Sequence, residues 1–123
     1  MGGLSWHHLQ YMLGLHLMGH EVLFLEDSED YNSCYNPETN EITSDPTYGL
    51  NFISQVFEKH GLSGQWAYFD AHNNQWFGLS KKYVQDFCNS ADVLLNISGI
   101  NPLRDFKLKI PKRVLIDTDP VFT

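Results

Sequence analysis

Residues able to do chemistry fall in a few places along this chain. Six are histidines: His7, His8, His16, His20, His60 and His72. A histidine titrates near neutral pH and can take or give a proton there. His7 differs from the others. It lies on a polar line with Gly3, Gln10 and Gly14, spaced four, three and four residues apart as on one edge of a helix. Two glycines, Gly2 and Gly3, stand one turn before it. A helix opening behind them offers backbone N–H groups and partial positive charge to an anion. Three further clusters each follow an apolar run: Glu26 with Asp27, Ser98 with Gly99, and Asp117 with Asp119. Open α/β sheets bind ligands at the carboxyl ends of their strands, so these clusters are candidate ligand contacts.

Each of these features also has a plainer reading. His7 can be an N-terminal packing residue. His8 points about 100° away from it on a helix, so the two cannot share one metal ion. His16 sits among apolar positions and reads as a packed core histidine. His20 and His60 stand near helix ends, where they can satisfy carbonyls. Ser98-Gly99 can be a simple turn. Asp117-Thr118-Asp119 has the letters of a DxD metal motif, but the following Pro120 favours a polar turn closing a strand. Asp27 to Glu38 has the length of an EF-hand loop, yet Tyr31 replaces an oxygen ligand and Asn32 the required glycine. Cys34 and Cys88 form no metal or redox spacing and read as free thiols of a reducing cytoplasm. No metal site is expected. Asn96-Ile97-Ser98 matches a glycosylation sequon but sits at a strand end.

These residues require elements to position them. Leu4, His8, Tyr11, Leu15 and Met18 form one helical stripe, and Trp6, Leu9, Leu13, His16 and Leu17 a second. A helix apolar on most of its girth is largely covered. Gly19 is placed to end it. Val22 to Leu25 is an apolar run without alternation, which suits a strand buried on both faces. Residues 28–48 are polar and rich in turns, which predicts a functional or mobile loop. Residues 49–60 predict a second helix stopped by Gly61. Trp66 to Asp70 predicts a strand, and His72-Asn73-Asn74 a turn. Ser80 is a candidate N-cap for a third helix with Tyr83, Val84, Phe87 and Cys88 on its apolar side. Val93 to Ile97 and Arg113 to Ile116 predict two more buried strands, parallel to the first and in one sheet with it. Strand–helix alternation of this kind makes an α/β, Rossmann-like domain with a mostly parallel sheet and helices on both faces. No strand is read before the first helix, so residues 1–123 are expected to be an incomplete single domain continuing in a longer parent.

Composition narrows the partners. The chain has 123 residues, 42% hydrophobic and 19% charged, as expected of a globular domain rather than a disordered one. Its net charge is −7, and its basic residues are not clustered. Nucleic acid binding needs such clusters and is disfavoured. No apolar run reaches the roughly 20 residues of a membrane span. No secretory signal is visible, and a cytoplasmic location is expected.

Taken together, GGLSWHHLQYMLGLHLMGHEVLFLEDS, DPTYGL, WAYFDAH, LLNISGINPLR and PKRVLIDTDP resemble the N-terminal part of bacterial glycosyltransferases of the two-domain GT-B type. The likeness covers nearly the whole chain. It implies two Rossmann-like domains facing across a cleft, with this one on the acceptor side. A second domain in the parent would bind most of the nucleotide-sugar. The partners implied are that nucleotide-sugar, used as co-substrate with no further cofactor, and an acceptor molecule or glycan. By the same likeness, Gly2, Gly3 and Leu4 approach the donor diphosphate. His7 is the base, supported by Asp117 or Asp119, although here the histidine lies within the helix rather than in the loop before it. Glu26, Ser98 and Gly99 complete the candidate substrate contacts. The competing class is a non-catalytic α/β ligand-binding or interaction module using the same strand ends. A dinucleotide fold is not indicated, because GGLSW is not G-x-G-x-x-G.

Overall fold

The computed structural model describes residues 2–28, 34–43, 45–98 and 102–117, without the side chains of 2–7, 34, 35 and 43. The chain is mixed α/β and divides into two compact units, Met1–Leu79 and Ser80–Thr123.

The first unit begins with α1, Gly2–Leu17. Helical backbone starts at Gly2, so Gly2, Gly3 and Leu4 lie in the first helical turn rather than in a turn ahead of it. Among its described side chains, Leu9 and Met12 are buried. Met12 belongs to neither of the two stripes read from the sequence. Gln10 and Gly14 of the polar line are exposed, as expected. His16 is exposed too, against the expectation of a core histidine, and Leu17 and Met18 are 83% and 73% exposed. The second apolar stripe therefore loses its cover towards the end of the helix. Gly19, at φ 89°, closes the helix. Its N–H donates to the His16 carbonyl and that of His20 to the Leu15 carbonyl. This is the Schellman pattern, in which a left-handed residue lets two orphan carbonyls find donors.

The next strand, β1, is Phe24–Asp27. It lies two residues later than the apolar run, so Glu26 and Asp27 belong to the strand and do not follow it. The segment read as a loop contains a short antiparallel hairpin, β2 (Cys34–Asn36) and β3 (Glu41–Thr43), turning through Asn40 at φ 55°. Asp45 then steadies the start of α2, Thr47–Lys59, by accepting from the Thr47 hydroxyl (2.6 Å) and N–H (3.0 Å). The Thr47 hydroxyl, and after it the N–H, hold the Asp45 carboxyl below its ordinary value. Gly61, at φ 75°, ends α2 as predicted. Here the Leu62 N–H reaches the Phe57 carbonyl and the Gly61 N–H that of Glu58, a second Schellman pattern. Its characteristic apolar contact joins Leu62 and Phe57, and both are buried with Leu9 and Met12.

Around that cluster pack Leu13, Val22, Phe24, Ile53, Val56 and Trp66. The Phe24 and Phe57 rings meet edge to face at 5.6 Å. The core of this unit thus joins α1, α2, β1 and the strand β4, Trp66–Asp70. β1 and β4 run parallel, with Phe24 opposite Trp66 and Asp27 opposite Phe69. A parallel pair needs a long crossover, which the segment through α2 supplies. β4 then turns back through 71–74 into β5, Gln75–Gly78, a strand that the sequence reading does not anticipate. Phe69 stacks on Trp76 at 4.8 Å across that antiparallel ladder. Gly78 faces Ala67 at φ 75°. A Cβ there would lie 2.5 Å from the Trp66 carbonyl oxygen, so only glycine fits.

The second unit opens with α3, Lys81–Ser90, and the predicted cap is present: the Ser80 hydroxyl accepts from the Tyr83 N–H. Val84 and Cys88 are buried, whereas Tyr83 is 53% exposed. β6 (Val93–Ile97) and β7 (Lys112–Ile116) pair in parallel and in register, from Val93 opposite Lys112 to Ile97 opposite Ile116. Between them lies the one-turn helix α4, Asp105–Leu108, in which Lys107 is buried, and Ile110 is buried just after it. The sequence reading put residues 22–25, 93–97 and 113–116 in one sheet. The ladders instead join β1 to β4 and β6 to β7, as separate sheets. The expected burial also fails at β7, whose first four residues are exposed.

Candidate functional site

Polar residues gather at the carboxyl end of the β1/β4 pair. Asp27, Ser28 and Asp70 are 7%, 2% and 1% exposed. The Ser28 N–H donates to the Phe69 carbonyl, and its hydroxyl accepts from the Ala71 N–H at 2.8 Å. That pair of bonds ties the segment leaving β1 to the turn leaving β4. The carboxylate of Asp70 is committed to the same turn. One oxygen accepts from the His72 and Asn73 N–H groups, and the other from the Asn73 side-chain amide at 2.9 Å. Both Asp70 and Ser28 are therefore committed to holding this turn. Glu26, one residue inside the strand end and half-buried, is of another kind. Burial pushes its carboxyl above the ordinary value, because the charged form loses hydration. A carboxyl so placed can carry a proton at higher pH than a surface glutamate.

A second polar edge lies at the carboxyl end of β6/β7 in the other unit. Ser98 takes a left-handed conformation, φ 69°, and its N–H donates to the Ile116 carbonyl at 2.8 Å. Continuing the register, Ser98 stands beside Asp117, which is exposed. Two of the predicted site residues are thus brought together. Asn96, two pairs earlier, buries its side-chain oxygen without a hydrogen-bond partner among the described residues. Gly99 and Asp119 lie outside the described residues. So does the side chain of His7, whose backbone is in α1 together with Gly2, Gly3 and Leu4. The first four N–H groups of a helix have no intrahelical partner, so that end keeps its capacity for an anion. The neighbouring His8 is half-buried, with its ring 6.1 Å from that of Phe24.

Cys88 and Lys107 were not read together from the sequence. In the second unit, burial pushes the Cys88 thiol up, and the nearby Lys107 ammonium opposes that shift. The Lys107 Nζ donates to the Pro102 carbonyl at 2.9 Å. A raised thiol pKa keeps the sulfur protonated and makes it a poor nucleophile. Ser28 and Asp70 were not singled out either as the residues that hold the turn after β4. Their signal is weak: a single polar residue directly after a buried run, which any turn would also provide.

Among the described residues no group of three or more histidine, cysteine, aspartate or glutamate side chains is placed to hold a metal ion, and no helix is long and apolar enough to cross a membrane. Comparison with protein-family models, curated proteins and solved structures gave no match.

Proposed function

We propose that the chain is the acceptor-side domain of a GT-B glycosyltransferase with Rossmann-like architecture, moving a sugar from a nucleotide-sugar to an acceptor hydroxyl. The observation that carries this reading is the placement of polar residues at the carboxyl ends of two parallel strand pairs: Glu26 with Ser28, and Ser98 with Asp117. Ligands of open α/β sheets sit at such ends. The glycines at the start of α1 add N–H groups suited to a diphosphate.

In the reaction, the acceptor oxygen forms a bond to the anomeric carbon. The bond from that carbon to the diphosphate oxygen breaks, and the nucleoside diphosphate leaves with the electron pair. In this proposal His7 takes the acceptor proton as general base. The N–H groups at Gly2, Gly3 and Leu4 face the leaving charge. Glu26, Ser98 and Gly99 contact the sugar or acceptor hydroxyls. Nucleotide binding falls mainly to a second domain of the parent chain, so the 123 residues alone turn over no donor.

The test is nuclear magnetic resonance mapping of the chain with a panel of mono- and disaccharides, and separately with uridine and guanosine diphosphates. Saccharide shifts should cluster at Glu26, Ser28, Ser98 and Asp117, and diphosphate shifts at residues 2–7. In the parent enzyme, His7→Ala should lower kcat by roughly 10²-fold with little change in melting temperature. Absence of shifts at these positions with every probe at millimolar concentration would overturn the reading. Saccharide binding without any loss of turnover in the His7 variant would leave a binding module.

A further inference from the structure

Glu26 stands apart from the other described acids of the first unit. Glu21, Glu38, Glu41, Asp45 and Glu58 are exposed, and Asp70 commits its carboxylate to its own turn. Glu26 is half-buried, and among the described residues no hydrogen bond or ion pair reaches its carboxyl. Burial alone accounts for the rise of its pKa, with no neighbouring charge drawing it down. A carboxyl withdrawn from water is settled by donors, by a cation or by a proton. The described residues supply it with neither of the first two.

Its neighbours on the sheet are aromatic. Alternation along β1 puts Glu26 on the face that carries Phe24, and the register sets it beside Tyr68 as it sets Phe24 beside Trp66. Phe24 and Trp66 pack on the core cluster, so Glu26 lies at the strand-end margin of that core. Tyr68 is buried, and its ring is 6.3 Å from that of Phe77 across the β4/β5 ladder. The carboxyl thus shares its face with Phe24, Tyr68 and Phe77.

The charge of the unit selects the sign of a ligand. Residues 1–79 hold ten of the fifteen acidic residues but only Lys59 of the eight lysines and arginines. The other seven basic residues lie in 80–123, against five acids. An excess of acids on this scale draws cations towards the first unit. Aromatic faces add attraction for an ammonium group, which a neutral hydroxyl does not feel. A metal ion needs several oxygen ligands, and no group of three suitable side chains occurs among the described residues. A single carboxyl beside rings suits an organic cation instead.

We propose that Glu26, beside Tyr68 and Phe77 at the carboxyl end of β1/β4, is a binding site for the ammonium group of a small organic amine. The carboxylate pairs with the ammonium and accepts its N–H donors, and the rings exclude water from the pair. As acceptor of the proposed transferase, the amine is an amino sugar. That substrate class rests on the glycosyltransferase reading, whereas binding of the amine does not.

The test is a nuclear magnetic resonance titration of the 123-residue chain at about pH 7, where most of an amino sugar's amine is charged. The probes are glucosamine and glucose, which differ by an ammonium in place of a hydroxyl. Glucosamine should shift the amides of Glu26, Tyr68 and Phe77 and bind at least about tenfold tighter than glucose. Glu26→Gln, which keeps the shape, should abolish that preference. Glu58→Gln, an exposed acid of α2, should leave it within about twofold. Equal affinity for the two sugars in the unaltered chain would overturn the proposal. So would a preference that survives Glu26→Gln, or an equal loss in Glu58→Gln, which would assign the attraction to the diffuse field of the unit. Nα-acetyl-lysine amide stands in for a protein side chain, and tighter binding of it than of glucosamine would overturn the small-amine assignment. Glucosamine binding that is lost in Glu26→Gln, with no turnover of any amino sugar by the parent enzyme, would uphold the site and overturn only its role in the transferase.

Discussion

The two parallel pairs, β1/β4 and β6/β7, are written in similar letters and meet different surroundings. Val22 to Leu25 and Val93 to Leu95 are both unbroken apolar runs. In the first pair, β4 buries Ala67, Tyr68 and Asp70, is flanked by β5 on its other side, and shares a core with α1 and α2. In the second, Val93 and Val114 are each 44% exposed and Leu115 is 66% exposed. An apolar run therefore reports a capacity for burial. Whether the burial is realised depends on elements supplied from elsewhere in the chain, and a helix of one turn such as α4 covers little.

The strongest way to break the first pair is at its tightest contact. Gly78→Ala would combine a left-handed φ, costing about 1–2 kcal/mol, with a Cβ forced onto the Trp66 carbonyl, costing about 1–3 kcal/mol more. Thermal melts followed by tryptophan fluorescence should show a fall in stability of about 2–5 kcal/mol. A near-neutral result would mean that β5 does not close on β4 as described.

Glu26 sharpens the comparison through pH. Its folded pKa is raised by burial, so the folded chain holds a proton that the unfolded chain releases. The stability associated with the protonated form is complete below the unfolded value near 4.5 and is lost as pH rises through the folded one. Glu26→Gln should match the parent chain below that value and melt higher at neutral pH, by about 1.4 kcal/mol for each pH unit between the two pKa values. Equal melting temperatures at neutral pH would place the carboxyl in water. Asp45 titrates with the opposite sign, its contribution being lost on acidification, and lies outside both pairs.

The smallest effect is expected in the second pair. Leu115→Ser on the exposed strand should change stability by no more than about 0.5 kcal/mol. A loss of about 2 kcal/mol or more would show that Leu115 is covered in solution, and the two pairs would then be equivalents.

Much of the helical frame was legible because its signals are local. Gly19, Gly61 and Ser80 act within a few residues, and each does what its type dictates at a helix end. The strands at 66–70 and 93–97 were legible from apolar content. What escaped depends on distant partners. β5 is made by pairing with β4, and its four residues carry too little pattern alone. The β2/β3 hairpin hides in a polar segment whose strands are three residues each. Among the described residues 22–25 and the pair 93–97/113–116 share no ladder, and the letters could not tell this, because a parallel strand does not announce which neighbour it takes. Of the candidate residues, Ser98 and Asp117 were legible as polar positions just past strands, whereas Glu26, read as following its strand, lies within it. The work of Ser28, which bridges to Ala71, depends on a residue 43 positions away and has no local trace.

The aromatic ladder of β4 and β5 also settles what a fluorimeter can see. The three tryptophans are Trp6, Trp66 and Trp76, all before Leu79, and residues 80–123 contain none. Trp76 lies against Phe69, and Trp66 is pressed by Gly78. Indole emission is thus a private channel to the first unit, whereas circular dichroism collects signal from the helices and strands of both. Melting curves from the two methods will superimpose only when residues 1–79 and 80–123 lose structure together, so the gap between them measures how cooperatively one half answers the other.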